Sequence, residues 1–439
     1  LVFLPIYQRS LLESNHRAAE TIHTAAISYS LLSLVLSLAT IVTAPQLVHL
    51  IAPSSSVPVQ EAAAVMTRVL ACGFVFSGWV GLQNALSQAH KSFVWPQIVP
   101  LANHLVVILG LIIAYHIDGN IVLLPLSALI GWVLLAPVMT LTIRRSYPRF
   151  AHVTFSPTLL KQLVILSVPV FFGLSLDQIN NVIDIFIGSS FGAGAVSHLT
   201  YASRIMMLFS GIFGIIISYF IFPYLTDSVQ KSDHSTTQRY ISRGVIAVIS
   251  LTLPLGLTSI FLAPQIISAA FQRGEFTPAD AEASALALQY FSLGIVFIGL
   301  REVLNRIFLA RQATVHLLVF GMIGAAVNLI ASLYFSRFLG VGGIALGTAM
   351  GSIAYVFSQV VALQRTPYRL LSTMLWPVPI VIIIAGVAFT LVIVNAPILQ
   401  LDSNVAQLIM AMVSGGAIYF AILALGALTL RKRLRTEFC

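Results

Sequence analysis

The chain has 439 residues, of which 58% are hydrophobic and only 8% are charged. A soluble globular domain carries about 25% charged residues, so the composition excludes a water-soluble enzyme. Lys and Arg number 23 and Asp and Glu 14, which gives a net charge of +9. In a soluble protein such a charge would suggest a nucleic-acid partner, but here the position of the charges has to be considered first.

Long apolar runs occupy most of the chain. A membrane-spanning helix needs about 20 mainly apolar residues, and twelve runs of that length are present. They are too long for barrel strands and lack the alternation of such strands. The predicted fold class is all-α, a polytopic membrane protein with about 12 transmembrane helices. The predicted spans cover residues 25–51, 62–90, 94–117, 121–143, 158–187, 196–226, 237–270, 280–310, 313–336, 340–364, 370–395 and 402–430.

The basic residues are distributed unevenly between the loops. Seventeen of the 23 fall in one alternating set of loops and chain ends, whereas the opposite set contains only Arg273 and Arg337. Because cytoplasmic loops are enriched in Lys and Arg, both visible termini are predicted to be cytoplasmic. The net charge then reflects orientation in a membrane and predicts no nucleic-acid partner.

Ionisable residues inside the bilayer are costly, so those that persist usually face a cavity or a partner. Asp177, Asn181 and Asp184 stand at i, i+4 and i+7 in one predicted helix, which places them on one stripe. This stripe predicts a helix face that lines a substrate cavity or binds a cation. A satisfied polar contact between packed helices is the alternative.

The following span contains Arg204, with Tyr201 one turn before it and Gly211 and Ser218 at seven-residue spacing after it. A guanidinium group holds phosphate oxygens in bidentate fashion and stays charged. Arg204 is therefore predicted to bind an anionic headgroup. The alternative is an ion pair with Asp184 or Asp177.

Neutral oxygens on two later helices could complete a small cation site with Asp184. Asn328 and Ser332 are spaced i, i+4, and Thr348 lies on the next helix.

Elsewhere, Glu302 and Arg306 have the i, i+4 spacing of a helical ion pair. There is no nucleotide-binding P-loop and no zinc-type Cys or His spacing, so we expect neither an enzyme nor a metal centre other than sodium.

Several segments resemble the lipid II flippase family MurJ/MviN of the multidrug, oligosaccharidyl-lipid and polysaccharide exporter superfamily. They are VFLPIY (2–7), FVWPQIVPLANH (93–104), the run from Gly188 to Gly214, FPYLT (222–226) and FQRGEFTPADAE (271–282). The resemblance implies two lobes around a central cavity and fourteen helices, of which the third to the fourteenth are visible here. It predicts a partial N-lobe at 1–155, a C-lobe at 156–365, and two C-terminal helices at 366–439 that form a groove for a lipid tail.

The resemblance also implies a function. The family translocates lipid II, the undecaprenyl-pyrophosphate-linked peptidoglycan precursor, across the bacterial cytoplasmic membrane by alternating access, coupled to membrane potential or to a Na⁺ or H⁺ gradient. Arg204 matches the family's cavity arginine, and Tyr201, Asp177 and Asn181 are predicted to join it in binding substrate. The expected partners are lipid II or a related polyprenyl-pyrophosphate glycan, membrane lipids and the cell-wall synthesis machinery, with the protein itself a monomer.

In the same resemblance, Asp184, Asn328 and Thr348 match a sodium site in which Ser332 replaces an expected carboxylate. Two alternatives stay open. One is export of another lipid-linked oligosaccharide or of a drug. The other is a degenerate membrane scaffold, suggested by the absent first two helices and by Ser203 and Met207, which stand where acidic residues are frequent in the family.

Overall fold

The computed structural model describes residues 3–90, 94–116, 121–143, 155–311, 313–368, 377–395 and 413–426, and within these ranges it is helical without strands. The predicted polytopic helical fold is thereby confirmed. The helices are α1 (Phe3–Glu13), α2 (Asn15–Ile51), α3 (Val57–Cys72), α4 (Phe74–Ala89), α5 (Val94–His116), α6 (Leu123–Ile143), α7 (Pro157–Gly188) and α8 (Ala195–Gln230). They continue with α9 (His234–Phe261), α10 (Ala263–Phe271), α11 (Pro278–Ser292), α12 (Ile295–Ala310), α13 (Thr314–Leu339), α14 (Val341–Gln364), α15 (Pro377–Asn395) and α16 (Val413–Gly426).

Seven of the described helices are long and apolar enough to cross a membrane, or up to nine if each of two bent helix pairs is one span. Helix α7, with 32 residues, and α15, with 19, coincide with two further predicted spans. Helix α16 lies within the last predicted span, which is only partly described. The large apolar side chains left exposed on α2, α5 and α8 are the surface that a polytopic protein presents to lipid.

Three predicted spans are interrupted rather than continuous. The span at 62–90 is bent by 43° between α3 and α4, and the span at 280–310 by 45° between α11 and α12. At the second bend a side chain on Gly294 would come within 3.0 Å of the Ala349 backbone. The span at 237–270 is divided into α9 and α10, because Pro264 in the first turn of α10 cannot continue the preceding helix.

The chain divides into two compact units, residues 1–174 and 175–439. In the first, Tyr7 and Leu86 are buried in a cluster that joins α1, α2, α4 and the start of α7. In the second, one cluster joins α8, α10, α11 and α14, and another joins α8, α9, α12, α13 and α14. The predicted boundaries at 155 and 365 stay predictions, and much of the region 366–439 lies outside the described residues.

A turn between α7 and α8 determines how the polar residues of these helices are presented. Gly192 has φ of 92° and Gly194 has φ of 87°. Side chains with a Cβ rarely adopt such angles, so the two glycines of the GSSFGAG segment are required by the turn. Helix α8 then buries Leu199, Ala202 and Met206 against the core, which leaves Arg204 on the opposite, exposed face.

Three glycines at four-residue spacing let α14 approach α13 very closely. A Cβ on Gly343 would overlap the Phe335 backbone, and one on Gly351 would lie 2.7 Å from the Gly324 carbonyl oxygen. A Cβ on Gly347 would overlap the Ser332 hydroxyl and lie 2.6 Å from the Ser332 backbone nitrogen. Small residues at this spacing form close helix contacts in membranes, so the glycines fix the register of the α13–α14 pair.

We expect Gly347→Ala to destabilise the protein by about 1–3 kcal/mol, because an added methyl group would meet backbone atoms that cannot rotate away. The loss of stability is measured by thermal unfolding of the purified wild type and variant in detergent. The matched control is Gly81→Ala in α4, where nothing lies within 4 Å of the added Cβ and the stability should be unchanged or slightly higher. Equal stability of the two variants would contradict the close packing.

Candidate cation and substrate site

The second unit contains a cluster of polar side chains contributed by α7, α13 and α14. The Thr348 hydroxyl lies 3.0 Å from one oxygen of the Asp184 carboxylate and 3.3 Å from the other, and donates to that carboxylate. The Asn328 amide donates to Asn180 at 3.2 Å and to Thr348 at 3.5 Å. The Ser332 hydroxyl donates to the side-chain amide oxygen of Asn328 at 2.9 Å. The four residues predicted for a cation site are therefore brought together.

The α13–α14 contact explains why these groups meet. Asn328 and Ser332 lie one turn apart on the face of α13 that packs against α14, and both are buried. Gly347 and Gly351 of α14 make room for them, and Thr348 follows Gly347 directly. Asp184 and Asn180, one turn apart on α7, complete the cluster from a third helix.

The cluster offers oxygen atoms and a single negative charge. The oxygens come from the Asp184 carboxylate, the Thr348 hydroxyl and the Asn180 side-chain amide, whereas Asn328 turns its amide nitrogen toward Asn180 and Thr348. Carboxylate, carbonyl and hydroxyl oxygens are the ligands of hard cations, and one carboxylate balances one positive charge. The donor set therefore fits a monovalent hard cation such as Na⁺.

Ser332 joins the cluster through Asn328. Its hydroxyl is fully buried and donates to Asn328, and also to the Ile344 carbonyl oxygen at 3.3 Å. Ser332 therefore orients Asn328 and holds α13 against α14. Asn180 was not among the predicted cation ligands, although its spacing of i, i+4 from Asp184 would have identified it.

The predicted substrate-binding residues are distributed as follows. Arg204 is exposed on α8, and among the described side chains it makes no ion pair with Asp184 or any other carboxylate. Asn181 is exposed on α7. Tyr201 is 37% exposed. The side chain of Asp177 lies outside the described part of the structure.

Tyr201 is held by two aromatic rings, one at the end of α10 and one in the segment that connects α10 and α11. Its ring centroid lies 4.8 Å from that of Phe271 and 5.1 Å from that of Phe276. Nearby, His198 contacts the Asp280 carboxylate at 3.0 Å, and Asp280 forms a capping box with Thr277 at the start of α11. The α8 turn that precedes Arg204 is thus fixed by packing.

The contacts of a serine on α8 and of two charged residues on α12 differ from what their spacing in the sequence suggests. Ser218 does not share the exposed face of Arg204 but is buried and accepts a hydrogen bond from Arg306 at 3.3 Å. Arg306 also lies over the ring of Tyr219 at 4.9 Å, whereas Glu302 pairs with Arg301 at 3.4 Å. The predicted Glu302–Arg306 pair is absent from the described residues, because Arg306 is directed toward α8.

Comparison with known proteins identifies the family of this chain. The family model described as Lipid II flippase MurJ matches residues 1–411. The chain belongs to the MurJ family. A Vibrio cholerae relative named probable lipid II flippase MurJ is 32% identical over 187 residues, which cover 43% of this chain and 36% of the relative. A Rickettsia prowazekii relative of the same name is 27% identical over 358 residues, or 80% of this chain and 70% of the relative.

The fold agrees with that of a solved MurJ structure. The structure titled Lipid II flippase MurJ, inward closed conformation, superposes with a TM-score of 0.82 at 20% identity, covering 98% of this chain and 89% of the other. This MurJ family member is therefore a multi-pass helical membrane protein. The comparisons identify the family and the fold, and the roles of the individual site residues remain predictions.

Proposed function

We propose that this MurJ family member translocates lipid II across the bacterial inner membrane by alternating access, with both visible termini on the cytoplasmic side. The observation that carries the proposal is the family match over residues 1–411. Transport rather than scaffolding is also supported by the polar cluster around Asp184, since an ionisable group kept inside apolar helices usually serves an ion or substrate path.

In this proposal Arg204 holds the pyrophosphate of the lipid. The guanidinium group is exposed and free of carboxylates among the described residues, so an anion can approach it. Pyrophosphate oxygens accept paired hydrogen bonds from guanidinium nitrogens. Tyr201, fixed one turn away, makes no hydrogen bond through its hydroxyl among the described residues and can donate to the same headgroup. Asn181 and Asp177 are proposed to contact the glycan or peptide portion.

The Asp184 cluster is proposed to couple transport to a sodium gradient. Asp184, Thr348 and Asn180 would hold the ion, and Asn328 would join them by turning its amide oxygen toward it. The charge of the ion compensates that of the carboxylate. Because Asp184 comes from α7 while Asn328 and Thr348 come from the rigid α13–α14 pair, binding favours the arrangement in which these helices are close. Protonation of Asp184 would neutralise the same carboxylate, and coupling to H⁺ is the competing outcome of the experiment.

A reconstituted flipping assay tests the proposed function. The protein is placed in liposomes with fluorescent lipid II, and headgroup exposure is measured under an imposed potential, with Na⁺ or with choline outside. We expect potential-dependent flipping of lipid II that is faster with Na⁺. The absence of flipping under every condition would contradict the transport proposal and favour a scaffold. Equal transport of polyprenyl phosphates that lack the disaccharide would contradict lipid II as the substrate.

A further inference from the structure

A cavity separate from the Asp184 cluster lies at the other end of the α13–α14 pair. Its volume is about 700 Å³, and it is formed where α12 ends, α13 begins and α14 ends. Ile323 and Ala354 line its inner part, and Arg311 and Arg365 line the part at the helix ends. The proposed transport function makes no use of this cavity.

The cavity wall is apolar over a length that suits an acyl chain. Its apolar lining includes Phe308, Phe320, Ile323, Phe357 and Val361. From Ala354 to Ala362 the wall follows two turns of α14, which is about 12 Å at 1.5 Å per residue. Phe357 is 68% exposed, so an apolar occupant would cover a side chain that the protein itself leaves uncovered.

The end of the cavity at the helix termini is positively charged. Two guanidinium groups, from Arg311 and Arg365, and the imidazole of His316 line it, and the described lining contains no acidic residue. Neither arginine belongs to an ion pair in the described part of the chain. Arg311 is held over the ring of Tyr368, 5.7 Å from its centroid, and Ser358 and Thr366 supply hydroxyl groups at the same end.

Positive charge at one end and apolar lining at the other match one kind of molecule. Basic pockets between transmembrane helices bind anionic lipid headgroups, and the first turn of α13, which begins beside the cavity, adds its positive dipole end. We propose that this cavity binds an anionic phospholipid, with its phosphate between Arg311 and Arg365 and part of an acyl chain along Phe357 and Ile323. The lipid is distinct from the transported substrate and stabilises the junction of α12, α13 and α14.

Lipid binding is tested by native mass spectrometry of the delipidated full chain, titrated with phosphatidylglycerol or with phosphatidylcholine. Each basic residue near an anionic surface contributes about 1 kcal/mol, so we expect Arg311→Gln combined with Arg365→Gln to weaken phosphatidylglycerol binding about 30-fold. The control is Arg337→Gln at the opposite end of α13, where the arginine is also exposed and binding should be unchanged.

The apolar wall is tested by a second matched pair. Phe357→Ser should weaken phosphatidylglycerol binding, whereas Phe338→Ser, which removes an equally exposed ring (70%) elsewhere, should not. Glycerol phosphate and inorganic phosphate alone should fail to compete at concentrations that saturate with lipid. Equal binding of phosphatidylcholine, competition by free phosphate, or unchanged binding in the double arginine variant would each overturn the proposal. None of these measurements depends on flipping.

Discussion

Replacement of Arg204 by alanine is expected to abolish lipid II flipping while membrane insertion and thermal stability stay close to those of the wild type. The side chain is exposed and forms no ion pair within the described structure, so little of the fold depends on it. A hydrogen bond to a charged group contributes about 1.5–3 kcal/mol. Loss of even one such bond to pyrophosphate therefore weakens substrate binding about 10- to 150-fold.

The comparison between alanine and lysine separates charge from geometry. Arg204→Lys keeps a positive charge but loses the planar fork that bonds two oxygens at once, so we expect flipping between that of the wild type and that of the alanine variant. Arg239→Ala, which removes another exposed arginine on α9, should flip normally. Wild-type rates for Arg204→Ala in the liposome assay would remove this residue from the mechanism.

Asp184→Asn is expected to remove the effect of sodium on both stability and transport. The variant keeps the size of the side chain and can still accept a hydrogen bond from Thr348, but it carries no charge to balance an ion. A ligand at 100 times its Kd stabilises the folded state by about 2.7 kcal/mol. Saturating Na⁺ should therefore raise the Tm of the wild type and leave that of Asp184→Asn unchanged.

The control for this experiment is Asp227→Asn, the same chemical change at a carboxylate that pairs with Lys231 on the exposed end of α8. It should keep the full response to Na⁺. A sodium-dependent Tm that survives in Asp184→Asn would show that the ion binds elsewhere. A wild-type protein that responds to pH but not to Na⁺ would contradict sodium coupling and support a proton at the same carboxylate.

The helical fold could be predicted from the sequence because an apolar run of about 20 residues is long enough to form a membrane-spanning helix. The breaks within the runs were harder to foresee. Gly294 lies between α11 and α12, where the backbone of Ala349 approaches it. This contact comes from a helix more than fifty residues away in the chain. Pro264, in contrast, is a local signal, and its position after Leu262 could have divided the span at 237–270.

The cation cluster shows both what residue spacing can predict and where it fails. Asp184, Asn328 and Thr348 could be selected because polar groups are rare in apolar helices, and they do meet. Spacing could not show that Ser332 points its hydroxyl at Asn328, since that depends on how closely α13 and α14 pack. The glycines at 343, 347 and 351, which recur at four-residue intervals, are the sequence signal for this close packing.

The glycine contacts between α13 and α14 have a mechanical consequence for the Asp184 cluster. Helices α13 and α14 are packed too closely to slide past each other. The polar side chains that they contribute to the cluster therefore keep fixed positions relative to one another and form one half of the site. Only α7 can vary its distance from that half. An ion in the cluster would thus respond to the position of a single helix, and withdrawal of α7 would break its coordination.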